Sequence, residues 1–278
     1  MQLPEGLGAY GLRLTGSALP PERLVAVPSD APVLRLSMRG GTEPERAARV
    51  DGDVADLPML GGGRLVVDRR VGTAAFTTPQ PLDPEDLAHP YLAPAAAAIQ
   101  LWRGREALHG GAFAVDGRAV VVLGGREGGK SSTLAWLAAE CGTTVLADDL
   151  VIVEEGGVWP GPRCLDLRPQ TSAHFADRWQ GALVRSGERV RLALGPAEDC
   201  LPVVAVVALE WGAEGRTELR AGERLTRLTD QRMFQVLQGD PDAVLGLAAL
   251  PFTVLRRPRE LQTLASTAAQ LLSLAGAR

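Results

Sequence analysis

The sequence predicts an α/β fold preceded by a small β-rich N-terminal unit. Residues 1–88 contain short apolar stretches separated by Gly, Pro and Asp, a pattern typical of short strands. In 89–278, apolar runs are interspersed with segments of helical spacing, which indicates strands connected by helices. The chain has 278 residues, of which 46% are apolar, so it is long enough to bury a core of this size.

The N-terminal unit has three candidate strands, Leu24–Val27, Val33–Leu36 and Arg64–Val67. Four prolines between residues 79 and 90 then mark a linker, because proline interrupts both helices and sheets. After this linker the apolar stretch Leu92–Trp102 predicts a helix.

The next elements predict a strand, a loop and a helix in succession. Two apolar runs, Gly111–Val115 and Arg118–Leu123, are separated by Asp116-Gly117, which is the two-residue signal of a tight hairpin. Ser131–Cys141 has the spacing of a helix. The segment 124–131 between them fits the phosphate-binding (Walker A) pattern G-x-x-x-x-G-K-[ST], which requires a strand before it and a helix after it.

Lys130 in this loop is the only lysine of the chain, beside 28 arginines. A compact ammonium can act as a point charge between phosphate oxygens, whereas the planar fork of arginine prefers flat bidentate pairing. The backbone N–H groups of a glycine loop at a helix N-terminus also bind polyphosphate. The loop therefore predicts an ATP site, whose expected binding residues are Gly124, Gly125, Arg126, Gly128, Gly129, Lys130, Ser131 and Ser132.

Two adjacent carboxylates, Asp148-Asp149, follow the predicted strand Thr143–Ala147. Such a pair suits a metal ligand and a general base, and a base near a γ-phosphate is what transfer to a hydroxyl requires. The hydroxyl of Ser131 is expected to join the coordination of Mg²⁺. Further strands are predicted at Leu150–Val153 and Leu201–Leu209, and a closing helix at Arg259–Leu274.

The order of these motifs resembles a known family. Leu108-His109-Gly110, the hairpin, the glycine loop ending in Ser132, and Leu146-Ala147-Asp148-Asp149 follow one another as in the nucleotide-binding core of the HPr kinase/phosphorylase family, over about 92–210. Members of that family phosphorylate a serine hydroxyl on a protein. They share with ATP-dependent phosphoenolpyruvate carboxykinase a P-loop core with a mixed sheet, and the resemblance implies this fold here.

The resemblance also implies roles for individual residues. Asp148 would take the proton of the serine hydroxyl, Asp149 and Ser131 would serve the metal, and His109 would assist positioning beside the phosphates, together with Lys130. Leu165-Asp166-Leu167-Arg168 resembles the Leu-Glu-Ile-Arg signature of the family. It adds Asp166 to the expected metal ligands and puts Arg168 near the transferred phosphate.

Two positions depart from the family pattern. Glu127 stands where the family commonly has glycine, and its carboxylate would repel phosphate unless it turns outward or pairs with Arg126. Pro169 replaces the glycine that follows the signature arginine in the bifunctional enzymes, so the resemblance supports the kinase activity rather than the phosphorylase activity.

We therefore expect an ATP- and Mg²⁺-dependent kinase that acts on a serine or threonine hydroxyl of a protein or peptide. Compact relatives resemble the stand-alone kinases of ribosomally made precursor peptides, including lasso peptides. Two alternatives stay open: a kinase of small hydroxyl compounds, and a nucleotide-binding maturation partner without catalysis.

Other partners and sites are not expected. The net charge of −4 and the scattered arginines argue against nucleic acid. The three cysteines match neither a disulfide framework nor a zinc site, and His89 and His174 belong to no motif and are interpreted as structural. The first six residues lack the features of a signal peptide and no long apolar stretch occurs, so a cytoplasmic protein without a membrane partner is expected. A homo-oligomer is left open.

Overall fold

The computed structural model describes residues 6–16, 19–44, 46–59, 62–179, 181–185, 188–197 and 199–276. The strands are β1 Leu7–Ala9, β2 Leu12–Gly16, β3 Val25–Ala26, β4 Val33–Gly40, β5 Arg49–Asp51, β6 Val54–Pro58, β7 Arg64–Asp68, β8 Thr73–Thr78, β9 Glu106–Val115, β10 Arg118–Leu123, β11 Thr144–Ala147, β12 Leu150–Glu154, β13 Gly157–Trp159, β14 Cys164–Leu167, β15 Leu183–Arg185, β16 Val190–Ala193, β17 Leu201–Trp211, β18 Gly215–Glu218 and β19 Phe252–Arg257. The α-helices are α1 Pro84–Asp86, α2 Leu92–Trp102, α3 Lys130–Cys141, α4 Pro169–His174, α5 Ala221–Asp230, α6 Pro241–Ala249 and α7 Leu264–Leu274. Most of the signal-peptide segment considered above, residues 1–5, lies outside the described ranges.

Strands β1 to β8 form one sheet in the order β3-β1-β2-β4-β8-β7-β6-β5. Strand β4 is parallel to β2 and β8, and the other neighbours are antiparallel. Leu34 and Phe76 of this sheet share one buried cluster with Ala96 of α2 and with Ile152 of β12. Helix α2 is thus covered by a sheet on each side, which explains why its sequence is apolar all round.

The second sheet has the order β10-β9-β12-β13-β17-β19-β18, with β11 beside β9. In addition to these neighbours, β17 pairs with β10 at the other end of the order. Strand β17 is parallel both to β10 and to β19. Strand β9 is antiparallel to β10, and β11 is antiparallel to β9, so β11 points in the same direction as β10. The carboxyl ends of β10, β11, β17 and β19 therefore meet at one edge of the sheet.

Helices cover both faces of the parallel strands, and the side chains of β10 alternate between the two. Val120 belongs to a buried cluster with Leu134 of α3 and Leu271 of α7. Val121 belongs to another, with Leu228 of α5 and Leu247 of α6. This three-layer, mixed α/β arrangement fixes the start of α3 against the edge where the strands end. A third sheet, β14-β16-β15, lies beside α3.

Most of the elements predicted around the glycine loop are confirmed. The hairpin, α2, α3 and the buried strand β17 occupy the expected positions. The closing helix predicted from Arg259 was placed too early. The backbone is extended at Glu260 (φ −133°, ψ 135°), a single 3₁₀ turn follows at Leu261–Thr263, and α7 begins only at Leu264. Arg259 instead directs its guanidinium toward the glycine loop, as described below.

None of the helices described here combines the length and the apolar character needed to cross a membrane. Cys141, Cys164 and Cys200 are all free in the described part of the chain.

Leu134 anchors α3, and with it the glycine loop, to the sheet. Its side chain is fully buried. Leu134→Ala is expected to cost about 2–5 kcal/mol of unfolding free energy and to lower Tm by several degrees, because a buried cavity remains. Leu245→Ala is the matched control, since Leu245 lies on α6 with 54% of its surface exposed. Equal thermal unfolding of the two variants would contradict this account of how α3 is held.

Candidate functional site

The predicted site residues come together at the edge where the parallel strands end. Strand β10 ends at Leu123 and leads into the loop 124–129, and β11 ends directly before Asp148. The ends of β17 and β19, Trp211 and Arg257, are paired in register beside them. In open α/β sheets, ligands bind outside the carboxyl ends of the strands.

Lys130 lies under the loop and is 6% exposed. Its ammonium donates to the carbonyl oxygens of Gly124 at 2.8 Å and Gly125 at 3.1 Å. Burial lowers the pKa of Lys130, while Asp148 and Asp149 oppose that shift by favouring the charged form. The ammonium is therefore held by neutral oxygens of the loop, with the two carboxyl groups of Asp148 and Asp149 close by.

The glycine loop is supported from behind by the ends of β17 and β19. The guanidinium of Arg257 donates to the Gly129 carbonyl at 3.2 Å and to the Thr133 hydroxyl at 3.0 Å, and it stacks on Trp211 at 4.4 Å from the ring centroid. Trp211 Nε1 donates to the carbonyl of Glu127 at 3.1 Å. Gly129 has φ +79°, and a Cβ there would lie 2.8 Å from the Trp211 ring. Glycine is thus required on both conformational and steric grounds.

Asp148 is buried behind Ser131. The Ser131 hydroxyl donates to Asp148 Oδ1 at 3.0 Å, and only 4% of the aspartate is exposed. Burial, followed by the charge of Asp149, raises the pKa of Asp148 to about 8, although Ser131 and Lys130 act in the opposite direction. At neutral pH the carboxyl group is therefore largely protonated.

Asp149 has the opposite environment, because 41% of its side chain is exposed and it lines the cavity described below. Its φ of +67° lies in the left-handed region, which is uncommon for a residue other than glycine and turns the chain sharply after Asp148. Asp149 Oδ2 is 3.4 Å from Nε2 of His89, a buried histidine of the linker. His89 is therefore a site residue that the sequence interpretation left as structural.

His109 lies inside β9, not before it as the sequence pattern suggested. Its Nε2 is 3.3 Å from the Lys130 ammonium. Burial, followed by the charge of Lys130, lowers the pKa of His109, against an opposing effect of Asp149. The ring is therefore neutral at physiological pH, and we assign Nε2 as the acceptor of a hydrogen bond from Lys130.

Asp166 lies at the wall of the cavity, but its carboxylate is already engaged. Both of its oxygens accept from the guanidinium of Arg191, at 2.7 and 2.8 Å, and Arg191 is fully buried in β16. Arg191 also donates to the backbone carbonyls of Glu85 and His89. This network ties the linker, and thereby His89, to the strand that carries Asp166.

The sequence left open that Glu127 pairs with Arg126, and the structure shows different partners. Its carboxylate binds the guanidinium of Arg168, which follows β14, and that of Arg259, which follows β19, at 3.4 Å in the latter case. The charge of Arg168 is the main reason that the pKa of Glu127 is lowered. Within the described residues no ion-pair partner of Arg126 occurs.

These side chains surround a cavity of about 760 Å³. His89, His109, Asp149 and Asp166 line it, whereas Asp148 lies behind Ser131. Gly124 and Gly125 contribute their carbonyls to Lys130 instead of cavity surface. The expected nucleotide-binding residues that do line the cavity are Arg126, Gly128, Gly129, Lys130, Ser131 and Ser132.

No group of three or more His, Cys, Asp or Glu side chains in the described part of the chain is arranged to hold a metal by itself. This is compatible with Mg²⁺, which is usually bound through one or two carboxylates together with substrate phosphates and water. The hydrogen-bonded pair of Ser131 and Asp148 supplies the hydroxyl and the carboxylate that such a site needs.

Trp211, Arg257 and His89 were missed because no motif contains them. Trp211 and Arg257 have a weak signal in the sequence, since each ends an apolar run that reads as a buried strand. His89 has no signal in the sequence, because its proximity to Asp149 depends on the packing of the linker. His174, by contrast, stacks on Trp136 with the ring centroids 5.8 Å apart, as expected for a structural residue.

No protein-family model matches the chain, and no curated protein is detectably similar to it. Among solved structures, the Hpr(Ser) kinase/phosphatase from Coxiella burnetii is similar at 11% identity, over 62% of this chain and 98% of that chain, with a TM-score of 0.29. A likeness of that size carries no argument about function.

The buried Asp148 is expected to make stability depend on pH. Its pKa is about 8 in the folded protein, against an ordinary value of 3.8. Between these two pH values the folded protein retains a proton that the unfolded chain has lost. Stability should therefore fall as pH rises through this window, and the contribution of the protonated carboxyl is lost above about pH 8. Asp148→Asn mimics the protonated form, so it should raise Tm by roughly 3 °C or more at pH 8 and by less at pH 5.

The control for this experiment is Asp177→Asn, because Asp177 is exposed and its removal should leave the pH dependence of Tm unchanged. A Tm of Asp148→Asn at or below that of the wild type at pH 8 would show that Asp148 is ionised and well compensated in the folded protein.

Proposed function

We propose that the protein is an ATP- and Mg²⁺-dependent kinase that transfers the γ-phosphoryl group to a serine or threonine hydroxyl of a protein or peptide. The observation that carries this proposal is the meeting of Lys130 and Ser131 with Asp148 and Asp149 at one edge of the sheet. Phosphoryl transfer needs a cradle for the phosphates, a metal site and a base, and these residues offer all three.

The glycine loop would bind the phosphates of ATP. Its backbone and the N-terminus of α3 favour anions, and Lys130 supplies a point charge. In the nucleotide-free protein the ammonium rests on Gly124 and Gly125, from which phosphate oxygens would recruit it. His109, which accepts from the same ammonium, would hold Lys130 in place.

Ser131 and Asp148 are the residues that would hold Mg²⁺. This assigns Asp148 to the metal instead of Asp149, because Asp148 already contacts Ser131. Its position behind Ser131, without surface on the cavity, keeps it from an acceptor hydroxyl there. Asp148 would have to lose its proton to bind the ion. Bound Mg²⁺ would neutralise charge on the phosphates, as it does in other phosphoryl-transfer sites.

Asp149 would be the base that accepts the proton of the attacking hydroxyl. It is the carboxylate of the pair that reaches the cavity, and His89 at 3.4 Å would orient it. The two aspartates thus exchange the roles that the sequence resemblance implies. Asp166 would act in positioning rather than as a metal ligand, because both of its oxygens accept from Arg191.

The acceptor is proposed from the sequence resemblance, which favours a serine of a ribosomally made precursor peptide, such as a lasso peptide precursor. A nucleotide-binding maturation partner without catalysis is the second candidate. The observation that favours it is the carboxylate of Glu127, which lines the cavity among the arginines that phosphate would need.

The proposal is tested by incubating the protein with ATP, Mg²⁺ and the precursor peptide encoded by a neighbouring gene, with HPr as a second acceptor, and measuring phosphate adducts by mass spectrometry. We expect serine or threonine phosphorylation. Absence of any adduct on either acceptor, with ATP bound, would favour the non-catalytic candidate.

Variants of the two aspartates separate their roles. Asp149→Asn should lower kcat by at least about 100-fold and retain Mg²⁺-dependent ATP binding, because only the base is lost. Asp148→Asn should instead weaken ATP binding in the presence of Mg²⁺ and leave binding without the metal unchanged. The reverse pattern would restore the assignment implied by the sequence resemblance.

A further inference from the structure

Glu127 occupies an unusual place for a carboxylate. It lies inside the glycine loop, three residues before Lys130, with φ +63° in the left-handed region. Its backbone carbonyl accepts from Trp211, so the position of the residue is fixed by the support behind the loop. The side chain leaves the loop toward the cavity, where it is partly exposed.

The carboxylate of Glu127 joins two arginines from distant parts of the chain. Oε1 contacts Arg168, and Oε2 contacts Arg259 at 3.4 Å. Each oxygen therefore serves a different guanidinium, and both arginines line the cavity. For neither arginine does any other carboxylate partner occur among the described residues.

Two guanidinium groups that converge on one small anion form an arrangement suited to a phosphoryl group. Arginine forks match phosphate oxygens, and charge-assisted hydrogen bonds to a dianion are stronger than those to a single carboxylate. The existing ion pairs are largely exposed, with 46% and 65% of the arginine side chains accessible, so water screens them and their replacement costs little.

We propose that Arg168 and Arg259 form a binding site for a phosphoryl group, and that Glu127 fills this site as a built-in competitor in the nucleotide-free protein. This inference rests on the proposed function, because it takes the ligand to be a phosphoryl group of the substrate or product of the kinase. Binding turns the Glu127 carboxylate away from the arginines, and the glycine loop becomes fully available to phosphates only then. The occupant is either the γ-phosphate of ATP or the phosphoryl group after transfer.

The test is calorimetric titration of the whole protein with ATP, with ADP, and with inorganic phosphate in the presence of ADP. Glu127→Gln keeps the size of the side chain and removes its charge. It should bind the correct ligand about three- to tenfold more tightly than the wild type. The same substitution in an Arg168→Gln, Arg259→Gln background should give no gain, because the site for the anion is gone.

Glu140→Gln is the matched control. Glu140 lies on α3 and pairs with Arg178 at 3.3 Å in an exposed ion pair away from the cavity. Glu140→Gln should change neither the affinity for ATP nor the affinity for inorganic phosphate in the presence of ADP. A gain of Glu127→Gln with ATP but not with ADP and phosphate identifies the γ-phosphate as the occupant, and the reverse identifies the transferred group.

Equal affinities of wild type and Glu127→Gln for both ligands would overturn the inference, as would a gain that persists without the two arginines. The outcome is separable from that of the proposed function. A protein that binds ATP but phosphorylates nothing would refute the kinase and leave this test intact. If no variant binds ATP, the proposed nucleotide site fails, and an added titration with inorganic phosphate alone tests the arginine pair: tighter binding by Glu127→Gln supports the inference, and equal binding overturns it.

Discussion

The arrangement of the site depends on one buried ammonium. Lys130 lies beneath the loop that should bind phosphate, and a buried cation is stable only when its hydrogen-bonding capacity is used. Gly124, Gly125 and His109 meet this need, and the carboxylate of Asp149 compensates the charge from a distance. The loop conformation and the neutral histidine follow from placing this cation among groups with little access to water, whereas Asp148 is protonated because of its own burial and the charge of Asp149.

The surroundings of Lys130 come from every part of the chain. The parallel strands bring the loop, the two aspartates, Trp211 and Arg257 to one edge of the sheet. The linker that follows the N-terminal sheet contributes His89, whose backbone carbonyl accepts a hydrogen bond from Arg191. The N-terminal sheet is thus connected to the site through α2, with which it shares a buried cluster, and through this linker.

The features that the sequence predicts well are those formed by residues close to one another in the chain. The hairpin, the glycine loop, α3 and the aspartate pair are recognisable because each is defined by neighbouring residues. Contacts between distant segments are not predictable in this way: the support of Gly129 by Arg257, the pairing of Asp166 with Arg191, and the approach of His89 to Asp149 depend on tertiary packing. The same holds for the roles proposed for the two aspartates, since burial distinguishes them and the sequence presents them as equals.

We propose that the Lys130 loop holds the outer phosphates of a nucleotide. This is tested by titrating the intact protein with ATP and with AMP in the presence of Mg²⁺. We expect ATP to bind at least about tenfold more tightly, because only ATP has phosphates that reach the ammonium and the loop. Equal affinity for the two nucleotides, or tighter binding of AMP, would contradict it.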